Sequence, residues 1–151
     1  MPSEFKANAR HLVDGLDSLG KSIFNSAVKG VGAALLQLKA DMILQQPTAP
    51  IDEGFLRGST SIFVQNKEVE QPPEAKEKVQ KRLHSHTESI DAGQIVGVIG
   101  VNVPYAARHH EVPAHFQEPS AGNKYLESKM ANNKNTYKKI IVNTINKEAK
   151  V

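Results

Sequence analysis

The chain has 151 residues, 39% hydrophobic and 23% charged, which is the size of one domain with one mostly aliphatic core. It has no Cys, so disulfides, thiolate zinc sites, Cys nucleophiles and iron–sulfur clusters are excluded. The net charge is +3, and it is uneven: from Lys124 onward seven Lys face only Glu127 and Glu148.

Residues 3–45 read as helix. Ser3 suits an N-cap. Apolar residues then recur at three- and four-residue steps: Phe5, Ala9, Leu12, Leu16, Leu19, Ile23, Ala27, Val31, Leu35, Leu38 and Met42. That is one face of an amphipathic helix. Gly15, Gly20, Gly30 and Gly32 each cost roughly 1 kcal/mol relative to Ala, so a bend is expected, or a break at Gly20. Pro47 and Pro50 end the helix. The opening MPSEFKANAR lacks the apolar run of a signal peptide. The apolar stretch 27–38 is too short to span a membrane. The expected setting is a cytoplasm, or a particle assembled in one, with no membrane partner.

Residues 47–58 form a loop with a local mechanism. Pro50 stops the helix, Asp52 can accept following amides, and Gly54 can supply a positive φ. Phe55 and Leu56 plug the core, and Arg57 returns to Asp52 or reaches a neighbour. On these residues alone the segment is a well-made helix-to-strand turn. Ser59–Gln65 is strand-like, with β-branched and aromatic residues.

Residues 66–93 are a polar loop or arm, rich in both charges and poor in apolar residues. A long excursion of this kind is commonly functional, and its Lys76, Lys81 and Arg82 are candidate docking residues. Gln94–Val103 is the strongest strand, expected to be central, with a bend or bulge at Gly97 and Gly100. Tyr105–His110 reads as a short helical turn and Glu111–Asn123 as loop. A last helix fills 124–150, with Tyr137, Ile140, Ile141, Thr144 and Ile145 on one face.

The order predicts a single α+β domain over 1–151. A long N-terminal helix and a C-terminal helix pack on a small, mostly antiparallel sheet, with the polar excursion between strands. Two strands are too few for stability, so the excursion or a neighbouring subunit must add strand.

The chemistry is sparse. His109, His110, Glu111 and His115 fail as a zincin site, because the second His falls one residue late and Pro113 breaks the helix between. Gly97–Gly100 lacks the pattern of a phosphate loop. Nucleophile motifs are missing. No catalytic residue, metal or cofactor is expected, and the chain reads as a non-enzyme. The Lys-rich end is either a solvated helix face or the binding helix of a small nucleic-acid-binding protein. The latter needs aromatic stacking, for which only Tyr125 and Tyr137 are available.

One ordered pattern carries more. A long amphipathic helix leads into Ala49-Pro50-x-Asp52-x-Gly54-x-Leu56-Arg57-x-Ser59 and then a strand. Val98-Ile99-Gly100-Val101-Asn102-Val103-Pro104-Tyr105-Ala106 follows, then His110-Glu111, then Tyr125-Leu126-Glu127. This series resembles the neck protein family of long-tailed bacteriophages, the minor capsid, tail-completion or head–tail joining proteins. Glu53 stands where that family usually has Thr.

The resemblance covers most of 10–135. It implies a structural virion protein of the neck or tail, assembled in the host cytoplasm as a ring of its own copies, six-fold as the leading expectation. The ring would cap the tail tube or bridge it to the head connector, with the tail sheath a further candidate neighbour and DNA only the transiting genome. Pro50, Asp52, Gly54, Leu56, Arg57, Tyr105 and Leu126 would build its turn and core. Docking would fall in 66–93 and 108–119, with Arg108, His110 and Glu111 as candidates in the second segment.

Overall fold

A computed structural model describes the backbone of residues 2–50, 55–70, 89–101, 105–113, 116 and 119–149. Within these, side chains are described from residue 14 onward, except those of Phe55, Leu56 and Glu70. Asp52, Gly54, Lys76, Lys81, Arg82 and the Leu56 side chain lie outside the described set.

The elements are α1 (Pro2–Leu44), α2 (Phe55–Gly58), β1 (Thr60–Val64), β2 (Lys67–Glu70), β3 (Gly97–Val101), α3 (Ala106–Glu111), α4 (Glu127–Asn132) and α5 (Lys134–Glu148). The fold is α+β, with a fully antiparallel sheet in the order β2-β1-β3. The α1 helix lies against β1 and β3, and α5 packs along another side of α1.

α1 runs without a break through all four of its glycines. At Gly30 the reason is contact: a Cβ there would lie 3.0 Å from the Ile141 Cα. The missing side chain lets α5 cross close to α1, and the burial gained outweighs the weak helix propensity.

β1 is buried along its whole length and is the central strand. The expectation that 94–103 is central is therefore corrected. β3 lies at the edge among the described residues, and each of its residues is half-buried. Its glycines do not mark a bulge either, because β3 pairs with β1 in unbroken register from Thr60↔Val101 to Val64↔Gly97. Gly97 serves close approach instead. A Cβ there would come within 2.7 Å of both Val31 and Leu35 of α1. The irregularity falls on the other side of β1, between Ile62 and Phe63 in the pairing with β2.

The excursion supplies the third strand. Its first residues, Lys-Glu-Val-Glu, form β2, so the polar loop begins later than residue 66. Gln65 and Asn66 make the hairpin turn, with φ of 53° and 61°, as a two-residue primed turn requires. The Gln65 side chain pins the tip. Its Oε1 accepts the Val96 amide at 2.8 Å and its Nε2 donates to the Gln94 carbonyl at 3.0 Å.

The final helix is two helices. Asn133, at φ −105° and ψ 15°, separates α4 from α5. Its side-chain amide donates to Gln45 Oε1 at 2.7 Å. The Tyr137, Ile140, Ile141, Thr144 and Ile145 face is the half-buried side of α5.

Candidate functional site

The helix-to-strand turn is clamped from both ends of the chain. After the cis Gln46–Pro47 bond, the Ala49 amide donates back to the Met42 carbonyl at 2.8 Å. The Thr48 amide donates to the Ser120 carbonyl at 2.8 Å, and the Gly122 amide donates to the Thr48 carbonyl at 3.2 Å. Residues 47–49 thus carry a short parallel pairing with 120–122, where Thr48 bridges to Ala121. Arg57 Nε donates to the Ala49 carbonyl at 2.8 Å. The sequence offered Asp52 or a neighbouring subunit as its target. This bond instead closes the turn onto its own first residue, and Ala49 is fully buried.

Around Ala49 the three segments of the ordered pattern converge. Met42, Ala49, Ala106 and Tyr125 form one buried cluster, with Ile43, Val101, Tyr105 and Leu126 packed against it. The Tyr125 hydroxyl donates to the Ala106 carbonyl at 3.3 Å, and burial pushes its pKa up to about 12. Of the residues assigned to turn and core, Arg57, Tyr105 and Leu126 meet here, with buried Pro50 following Ala49.

Beneath the turn lies a polar network with no counterpart in the sequence reading. Lys129 is only 2% exposed. Its ammonium donates to the Pro47 carbonyl at 2.7 Å and to Ser128 Oγ at 3.1 Å. Desolvation lowers its pKa, and the nearby Asp41 charge opposes that. Asp41 accepts from Gln37 at 2.9 Å, from the Tyr137 hydroxyl at 2.8 Å and from Asn133 at 3.3 Å. Burial, with a further contribution from Asp41, pushes the Tyr137 pKa up to about 12. One signal was present in the sequence. Asp41 sits beside Met42 on the apolar face of α1, where a carboxylate needs partners.

The second candidate cluster is at the surface. Glu111 Oε1 accepts from His110 Nδ1 at 2.8 Å, and its Oε2 accepts from Lys124 Nζ at 2.5 Å. Lys124 also pairs with Glu127 at 2.9 Å. The hydrogen bonds from Lys124 and then His110 lower the Glu111 pKa. Those to Glu111 and Glu127 raise that of Lys124. The Glu127 amide donates to His110 Nε2 at 3.3 Å, so Nδ1 carries the imidazole proton. The ring stacks edge-on against Tyr125 at 5.0 Å. His110, Glu111 and Glu127 bring their ligand atoms within 4.8 Å of one another, but the Lys124 ammonium contacts both carboxylates. The arrangement is an ion-pair latch joining α3 to the start of α4. α3 ends at Glu111, ahead of Pro113, and His115 lies outside the described residues.

Arg108 is exposed on α3. The two tyrosines that a stacking surface would need are spent inside the fold, Tyr125 in the core and Tyr137 on Asp41. Lys124 and Lys129 are likewise held by the contacts above. No helix among the described residues is long and apolar enough to cross a membrane. Set against protein-family models, curated proteins and solved structures, the chain finds no match.

Proposed function

We propose that the chain is a structural virion protein that closes into a ring at the head–tail junction of a long-tailed bacteriophage. In that role it caps the tail tube or joins it to the head connector. One observation carries the reading. The three sequence segments that resemble the neck family, around 49–59, 98–106 and 125–127, contribute to one buried cluster, so the ordered pattern corresponds to a single packed unit.

The mechanism is assembly. Among the described residues, β2 and β3 are both sheet edges, and an edge strand is a template for pairing with another chain. Pairing the β2 edge of one copy with the β3 edge of the next is a head-to-tail contact, which closes into a ring when the rotation allows. The Arg57 and Lys129 clamps hold the turn below the sheet rigid while the edges engage. Arg108, His110 and Glu111 then lie on a rim available to the tube or the connector.

The test is direct. The purified protein is mixed with tail tubes that lack a neck and viewed by negative-stain electron microscopy. Rings seated on tube ends, and tubes that then join heads, are the expected result. Tubes left bare, with heads and tails joining equally well without the protein, would overturn the reading.

A further inference from the structure

The face of α1 that α5 covers continues beyond α5 and is bare. From residue 26 onward that face is filled: Ser26 and Ala34 are buried, Gly30 meets Ile141, and Asp41 meets Tyr137. α5 ends beside Lys29, which pairs with Glu148 at 3.5 Å. One step back along the same face, Ile23 is 41% exposed and Leu16 is 58% exposed. Leu19 lies between them on that stripe.

We propose that the N-terminal half of α1 docks on the same helix of a second copy, the two running antiparallel. This stands independently of the ring reading. The spacing 16, 19, 23 alternates three and four residues, the heptad seam of a coiled coil, and the sequence carries it back through positions 12, 9 and 5. Asp14, Asp17 and Lys21 lie off the seam, so it presents no charge for an acidic or basic partner to read. Gly15 and Gly20 flank it, and a Cβ at either would meet nothing within 4 Å, which leaves room for another backbone to come close.

The fold also selects the orientation. A parallel copy would carry its own α5 onto the α5 already seated from residue 26. An antiparallel copy centred near residue 14 sets position 16 opposite position 12 and position 23 opposite position 5, and its paired stretch stops where α5 begins. The area suffices. The chain exposes 10279 Å², whereas a compact monomer of its mass exposes roughly 7,500 Å². The difference exceeds the roughly 1,600 Å² of a standard interface.

The experiment measures the mass of the full chain by analytical ultracentrifugation, alongside thermal unfolding. The wild type is expected as a dimer or a multiple of one. Leu16→Glu combined with Ile23→Glu is expected to halve the mass and leave the unfolding temperature of the rest of the fold unchanged. Asp17→Ala, off the seam, is expected to change neither. Orientation is read from spin labels on Asp14→Cys and Lys21→Cys, each unique in a Cys-free chain. The label pair at 21 should be farther apart, by an axial offset of about 21 Å that the pair at 14 lacks. A wild type that stays monomeric at high concentration overturns the proposal. So does a double variant of unchanged mass, a double variant that unfolds (the stripe then being internal core), or equal label distances. Failure of tube binding alone would overturn the ring reading and leave this one standing.

Discussion

Lys129 donates its ammonium to the carbonyl of Pro47, 82 residues earlier in the chain, at 2.7 Å. This one bond ties the last helices to the turn that ends α1. A lysine almost fully buried is uncommon unless paired. Here the carbonyl, Ser128 and the nearby Asp41 charge replace water around it. The bond fixes the turn whose other end Arg57 holds.

Lys129→Met keeps most of the volume and removes the donor. The Pro47 carbonyl and the Asp41 charge then lose their compensation. The expected cost is about 1–3 kcal/mol, measured as a lower urea midpoint with an unchanged slope. Glu111→Gln, in the exposed latch, should leave the midpoint where it is, because exposed ion pairs contribute little. Equal midpoints for Lys129→Met and wild type would show that the buried ammonium is dispensable.

Arg57 leads to a sharper expectation. Its Nε, at the base of the guanidinium, makes the bond to Ala49. Lysine has no donor at that point of the side chain. Arg57→Lys should therefore lose nearly as much as Arg57→Ala, about 1–3 kcal/mol for a charge-assisted bond to a buried carbonyl. Full rescue by Lys in thermal unfolding would mean that charge, rather than the Nε geometry, holds the turn.

The alkaline limb of stability should depend on the two buried tyrosines. Both Tyr125 and Tyr137 have pKa values raised to about 12, above the ordinary value near 10. The unfolded chain gives up these protons first. Stability is therefore fully present below pH 10 and falls as pH rises toward 12. Tyr125→Phe should flatten that limb relative to wild type, on the order of 2–3 kcal/mol across the window, although Phe also loses the bond to the Ala106 carbonyl. Parallel pH profiles for variant and wild type above pH 10 would contradict this.

Much of the frame was legible because it rests on periodicity. The apolar steps of α1 and the 137–145 face of α5 are local patterns, and local patterns survive folding. Strand β2 was not legible, because Lys-Glu-Val-Glu has the composition of a solvated loop and becomes strand only by pairing with β1. The position of β3 was misjudged for a related reason. Continuous apolar sequence indicates burial, but its cover is α1 on Gly97 rather than a strand on each side. The partners of Arg57 and Lys129 are set by tertiary approach across distant segments, and no spacing in the sequence encodes them. Asp41 was the one visible clue, a carboxylate on an apolar face.

The glycines of α1 provide the last test. Gly20 and Gly30 have equal claims to weaken the helix, and Ala at either should gain about 1 kcal/mol from propensity alone. Their surroundings differ. A Cβ at Gly20 meets nothing within 4 Å, whereas at Gly30 it lies 3.0 Å from the Cα and 3.1 Å from the carbonyl oxygen of Ile141. Those are backbone atoms of α5, so relief requires the whole helix to shift. Gly20→Ala should raise the unfolding temperature by a few degrees. Gly30→Ala should lose that gain, and Gly30→Val should destabilise by about 1–3 kcal/mol through overpacking. If Gly30→Ala stabilised as much as Gly20→Ala, α5 would not be seated this closely on α1. The bare stripe beyond residue 26 would then have no fixed edge for a second copy to meet.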